Sequence, residues 1–193
     1  MAHKYAEQMF TNNVKKIQEN KGSRKSYARM EEGEAYNALL GPNEIEFINK
    51  ADSFYMASVG ETGWPYVQHR GGNKGFVKII DEATIGYSDF RGNKQYISVG
   101  NFQSNNKVSL FFMDYRNKRR LKLIGHVQIV EDEKILNKLA PADYKAKIER
   151  GVIITIEGFD WNCPQHITKR YTEEDIRPLL DRITELENQV ASL

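Results

Sequence analysis

The sequence predicts a mainly β domain with flanking helices, an α+β fold whose antiparallel strands make a closed or nearly closed barrel. Three observations predict it. Short runs of strand-forming residues recur between 53 and 130 and are joined by tight turns, a density that suits a barrel. Apolar residues at three- and four-residue spacings mark helices before and after that block. With 193 residues, 40% hydrophobic and 28% charged, the chain is long enough to bury one core and is not biased toward disorder. The chain divides accordingly into an N-terminal helical segment packed on the barrel (1–50), the barrel itself (51–170) and a C-terminal helical tail (171–193).

The elements follow in order. Phe10, Val14 and Ile17 form an amphipathic stripe that Gly22 and Ser23 interrupt. A second helix is expected through Tyr36, Leu39 and Leu40. Gly41 ends it, and Pro42 opens the next with Ile45, Phe47 and Ile48 as its apolar side. From Ser53 the period changes. Residues 54–59 read as a strand, 60–63 as a hairpin turn and 64–70 as the return strand. Further strands are expected at 76–80, 84–88, 108–114 and 121–130. In the last of these Leu121, Leu123, Val127 and Ile129 alternate with a wetter face. A helical insertion at 131–150 precedes a late strand at 152–158 that would seal the barrel. In the tail, Thr172 and Asp175 resemble a capping box, and Pro178 restarts the helix. Leu179, Ile183, Leu186 and Val190 are spaced four, three and four, a coiled-coil-like seam. That seam suits either packing on the chain's own barrel or pairing across a dimer.

Composition narrows the function classes. Twenty-eight basic and 26 acidic residues leave a net charge of +2, so no basic field points to nucleic acid. The single cysteine, Cys163, excludes an internal disulfide framework and a multi-cysteine zinc site, which fits a reducing compartment. No apolar leader opens the sequence, and no run approaches the length of a membrane span. The expectation is a cytoplasmic protein.

Four segments carry possible chemistry. In the first, a strand ending near Ser88 runs through Arg91, Gly92, Asn93 and Lys94 into a helical stretch at 95–100. A helix N-terminus offers unpaired N–H groups, Gly92 permits close approach, and the cations can neutralise a phosphate. A solvated basic turn would have the same composition. In the second, Gln68, His69, Arg70 and Gly71 end a strand, and alternation places His69 on one face with Gln68 and Arg70 on the other. His69 suits a structural role or a ligand contact, and no second ligand stands at metal-binding spacing. The third segment, 116–120, holds four cations: an exposed hairpin tip, or an anion or RNA contact, although no aromatic RNA platform flanks it. The fourth gathers Trp161, Asn162, Cys163, Gln165 and His166 in one loop, a stacking plane with hydrogen-bonding groups. Cys163 beside His166 invites a nucleophile, yet no neighbouring acid supports one.

In this order the segments resemble the pyridoxamine 5′-phosphate oxidase-like family of flavin-binding split barrels, over residues 42–167. The most telling piece runs from Tyr87 and Ser88 through Asp89, Phe90, Arg91, Gly92, Asn93 and Lys94 to Ser98, followed by 100–102, 108–115 and 119–125. The resemblance implies a six-stranded antiparallel split β-barrel of the FMN-binding type, a homodimer with FMN at the subunit interface, and small-molecule electron donors and acceptors as its partners. Neither nucleic acid nor membrane is implied. Gln68, His69, Arg70 and Gly71 would line the flavin from one strand. Ser88, Gly92, Asn93 and Lys94 would hold the phosphate. Asn93 replaces the family's arginine there, and Arg70 or Arg91 would compensate. Arg119 and Arg120 match the family's Arg-Gln, which approaches the ring from the second subunit, with Arg120 in the glutamine's place. Trp161, Gln165 and His166 would complete the pocket across the interface. The family's Arg-x-His substrate signature is missing, which argues against vitamin B6 oxidation.

The function implied is an FMN-dependent oxidoreductase of unidentified substrate. The alternatives are a non-catalytic redox protein binding flavin, deazaflavin or haem, and a small barrel binding polyanions through 116–120.

Overall fold

Strand-forming residues in the middle of the chain pair into one antiparallel sheet, and helices cover its openings. The computed structural model describes residues 3–141 and 146–192. In chain order its elements are α1 (Lys4–Met9), α2 (Asn12–Asn20), α3 (Arg24–Ala28) with a 3-10 turn at Arg29–Glu31, α4 (Pro42–Lys50), β1 (Ser53–Val59), β2 (Pro65–Gly71), β3 (Lys78–Asp81) and β4 (Thr84–Phe90). They continue with α5 (Ile97–Ser104), β5 (Lys107–Asp114), β6 (Arg119–Val130), α6 (Glu133–Leu139), β7 (Ile148–Trp161) and α7 (Glu173–Ala191).

The sheet corrects the expected six-stranded split barrel, closed or nearly closed, in two ways. It has seven strands, in the order β2-β1-β5-β6-β7-β4-β3, and its ladder is open, with β2 and β3 as edges. The late strand expected as a seal is central. β7 pairs with β6 along one side and β4 along the other. The sheet curls so that β1 faces β4, but side chains close the split where backbone bonds do not. Phe76, buried on the loop between β2 and β3, stacks on Phe54 at 5.8 Å, and Phe54 meets Tyr87 edge-on at 5.4 Å. Arg70 on β2 reaches Asp89 on β4 at 2.6 Å. Apolar packing and an ion pair thus do at the split what a ladder would do in a closed barrel.

Alternation fills the interior. Phe54 and Met56, Leu110 and Phe112, Leu121 and Leu123, and Ile85 and Tyr87 are all essentially solvent-free. On β7 the inward parity changes from Ile154 and Ile156 to Phe159. The register with β6 shifts between Ile124 and Gly125, so Glu157 is the extra residue of a bulge. The strand runs to Trp161, three residues beyond the expected 158.

Helices close the mouths. α4 buries Phe47 and Ile48, and Glu44 caps its N-terminus by accepting from Gly41 N at 3.0 Å. The other oxygen of Glu44 accepts from Trp161 Nε1 at 2.7 Å, which fixes α4 to the end of β7. The helix expected through Tyr36, Leu39 and Leu40 does not form. Gly33 and Asn37 both take positive φ there, and only Leu40 of the three is buried. The stripe on α2 is also weaker than expected, because Ile17 is exposed and Gln18 is the buried residue. Of the helical insertion expected at 131–150, Glu133–Leu139 is helix and Ile148 begins β7, while residues 142–145 lie outside those described.

Candidate functional site

The expected site residues fall into two groups in one chain. The first lies at the corner where β4 runs into α5. Asn93 Oδ1 accepts from Gln95 N at 3.2 Å and tightens the loop, and Lys94 and Tyr96 take positive φ (61° and 53°) to aim the chain into the helix. Tyr96 is the N-cap residue of α5 and no side chain caps its amides. Gly92 is open, since a Cβ there would meet nothing within 4 Å. A cavity of about 60 Å³ sits here, lined by Gln68 and Arg70 of β2, by Gly92, Asn93 and Lys94, and by the first turn of α5. Ser98 Oγ donates to Gln68 Oε1 at 3.0 Å, which joins that turn to β2.

The charges of this corner are mixed. Arg70 is bound to Asp89 (2.6 Å), and Arg150 stands at 3.7 Å from the same carboxylate. Arg150 also pairs with Glu149 (2.9 Å), and Arg91 approaches Glu149 at 3.8 Å. Four cations, Arg70, Arg91, Lys94 and Arg150, therefore face two carboxylates, Asp89 and Glu149. Of the two arginines expected to stand in for the family's phosphate cation, Arg70 lines the cavity while Arg91 turns outward and is half-exposed. Arg150 was not singled out in the sequence. It lies on β7, far along the chain, and only the β4–β7 register (Asp89 opposite Arg150) brings it in. Arg70 Nε is buried and makes no hydrogen bond; the same holds for Ser88 Oγ and Arg150 Nε, but neither Ser88, expected to hold a phosphate, nor Arg150 lines the cavity. An uncapped helix N-terminus, an open glycine, surplus positive charge and the unsatisfied Arg70 N–H together fit an oxyanion such as a phosphate monoester. The cavity has room for a phosphate.

The second group lies on the outer face of the sheet. Tyr55, Phe111, Met113 and Tyr115 floor a depression of about 330 Å³ that Arg120 and His166 border. Arg120 donates to Cys163 O at 3.0 Å, and its Nε is buried without a partner. His69 reaches the same face from β2, its ring 5.6 Å from that of Tyr55, as alternation requires. Gly71 ends β2 beside it, where a Cβ would strike the His69 ring at 2.9 Å. Trp161 stands apart from the depression, while Arg119 lines a cavity of about 550 Å³ that adjoins it and shares Tyr55, Phe111, Met113 and Tyr115. Arg119 lies over Trp161 (4.5 Å) and Phe47 (5.1 Å) and donates to Asn43 at 2.8 Å, so both belong to the α4 plug. Gln165 and Cys163 are exposed. Among the described residues no cluster of His, Cys, Asp or Glu has the arrangement of a metal site, and no helix is long and apolar enough to cross a membrane.

Comparison with known proteins gives the same fold. A family model described as pyridoxamine 5′-phosphate oxidase matches residues 42–161. Among solved structures, HupZ of Group A Streptococcus aligns with a TM-score of 0.54 at 16% identity, covering 69% of this chain and 100% of that one. A candidate pyridoxamine 5′-phosphate oxidase of Lactobacillus delbrueckii aligns with a TM-score of 0.51 at 20% identity, over 64% of this chain and 94% of that one. At such identities these two likenesses speak to fold alone. No curated protein matches the sequence.

Proposed function

Since the chain belongs to the pyridoxamine 5′-phosphate oxidase family, we propose that it is a flavin oxidoreductase that binds FMN at the interface of a homodimer. The observation that supports this best is the corner cavity: the open N-terminus of α5 beside Gly92, Lys94 and Arg70. There the amides of α5 and Lys94 would hold the phosphate, with Arg70 shared between it and Asp89. FMN, when bound, supplies the electron-transfer chemistry, and the protein positions it and excludes water. The outer face with Tyr55, Phe111, Arg120 and His166 offers an apolar floor with cations at its rim, which suits a planar ring carrying partial negative charge. Because one chain presents corner and floor as separate surfaces, a second copy would bring the floor of one to the corner of the other.

The substrate is proposed to be something other than a vitamin B6 phosphate. After β7 the one histidine is His166, and Pro164 rather than an arginine stands two residues before it.

Titration with FMN and with riboflavin, followed by flavin fluorescence, tests the reading. Lys94→Ala should weaken FMN by about ten- to a hundredfold, the loss of one charge-assisted contact, and leave riboflavin unchanged. Equal affinity for FMN and riboflavin in the unaltered protein would remove the phosphate from the corner. Reduction of the bound flavin by NADH or NADPH, and its reoxidation by added acceptors, then separates an enzyme from a flavin carrier.

A further inference from the structure

Among the described residues, α7 is tied to the body of the molecule by ion pairs of its first turn. Asp175 is ion-paired with Arg116, Glu174 with Lys74 at 2.5 Å, and Thr172 and Asp175 form the capping box. No residue of α7 is buried. Its large apolar side chains are open to solvent: Leu179 at 65%, Ile183 at 51%, Leu186 at 43% and Val190 at 70%. They do not pack on the chain's own barrel.

The residue types along this seam specify a partner. In heptad terms Ile176, Ile183 and Val190 occupy a positions, and Leu179 and Leu186 occupy d positions. Branching at a with leucine at d is the partition that favours two parallel strands. The flanks agree. Arg182 at g and Glu187 at e are five residues apart, the spacing at which g of one helix meets e of a parallel partner. An antiparallel pair would instead set Leu180 beside Glu187 and Arg182 beside Gln189, with no opposite charges matched. Pro178 falls at c, off the seam, so it does not interrupt the contact.

We propose that α7 is a dimerisation element whose apolar seam is covered by α7 of a second copy, parallel and in register. Nineteen residues are too few to hold two copies unaided. The pair adds to other contacts between the copies, by raising the effective concentration of one for the other. This pairing needs no flavin.

Cysteine scanning on the full chain tests it, in a Cys163→Ser background. Ile183→Cys, Leu186→Cys and the outward-facing Asn188→Cys are each oxidised mildly and read on a non-reducing gel. Ile183→Cys and Leu186→Cys should form same-position disulfides, with Asn188→Cys about tenfold slower because its Cβ atoms face apart. Equal rates at 186 and 188, or no cross-link at 183 and 186, overturns the proposal. So does a disulfide formed only when Leu179→Cys and Val190→Cys chains are mixed, the antiparallel result. FMN uptake measured on the same proteins keeps the two readings apart: cross-linking without flavin binding supports α7 pairing and sinks the flavin site.

Discussion

Arg70 and Asp89 meet at 2.6 Å with side-chain exposures of 14% and 9%, and their pairing joins β2 to β4 where the ladder is open. Arg70→Ala would leave a buried carboxylate with only Arg150, at 3.7 Å, to balance it. The expected loss is about 3 kcal/mol of folding stability, read as a lower urea midpoint, because an unpaired buried charge keeps its full desolvation cost. Arg70→Ala with Asp89→Ala should recover part of that loss, and a double variant whose loss equals the sum of the two single losses would show the pair is not coupled. Gly125 is a second case. A Cβ there would run into Thr155 O across the bulge and press on Ile154 Cγ2 at 3.1 Å, so Gly125→Ala should cost about 2 kcal/mol in the same assay. An unchanged midpoint would mean that β7 shifts freely. Residues of this kind were only half legible in the sequence. Gly92 and Lys94 sit in a recognisable run, whereas Arg150 carries no local signature and is found only through strand register.

Among elements, the strands were legible because alternation and turn residues are local, and their ends moved by only a few positions. The late strand lies where its residues predict, but its station is central in the sheet and not at a seam. Its bulge breaks the alternation at Glu157, and pairing order is not written in any one segment. The helix expected through Tyr36 failed for another local reason. Three apolar residues at helical spacing were outweighed by Gly33 and Asn37, and Tyr36 serves instead as an edge-on partner of His3 at 4.9 Å. His3 anchors this N-terminal segment. It caps α1 by accepting from Ala6 N (3.4 Å) and stands 3.4 Å from Asp160. Burial lowers its pKa, and this outweighs the opposing pull of Asp160. The folded protein therefore takes up the proton less readily than the unfolded chain. Its contribution is whole above the ordinary histidine value and is lost as pH falls below it. Urea midpoints at successive pH values down to mildly acidic should fall more steeply for the unaltered protein than for His3→Asn, which keeps a capping side chain without the titration. Parallel curves would remove His3 from the acid response.

At the scale of the molecule, the residues of the candidate site lie in two places on one chain. The corner with Gln68, Arg70 and Lys94 and the floor with Tyr55, Phe111 and Arg120 belong to separate cavities. The resemblance in sequence implied a dimer, but neither the corner nor the floor carries a local mark of an interface, since each looks like ordinary surface. If FMN bridges corner and floor, binding and association are linked, and each must strengthen the other by the same factor. Flavin should then shift sedimentation toward the dimer, and dilution should release it. Phe111 is the place to break the link, because it lies on the outward face of β5 with its neighbours Leu110 and Phe112 turned into the core. Phe111→Glu should leave the fold intact and yield a monomer whose FMN affinity is lower by about a hundredfold or more, the consequence of losing a partner's apolar contact and adding a charge. A monomeric Phe111→Glu protein that binds FMN as tightly as before would place the whole site within one chain.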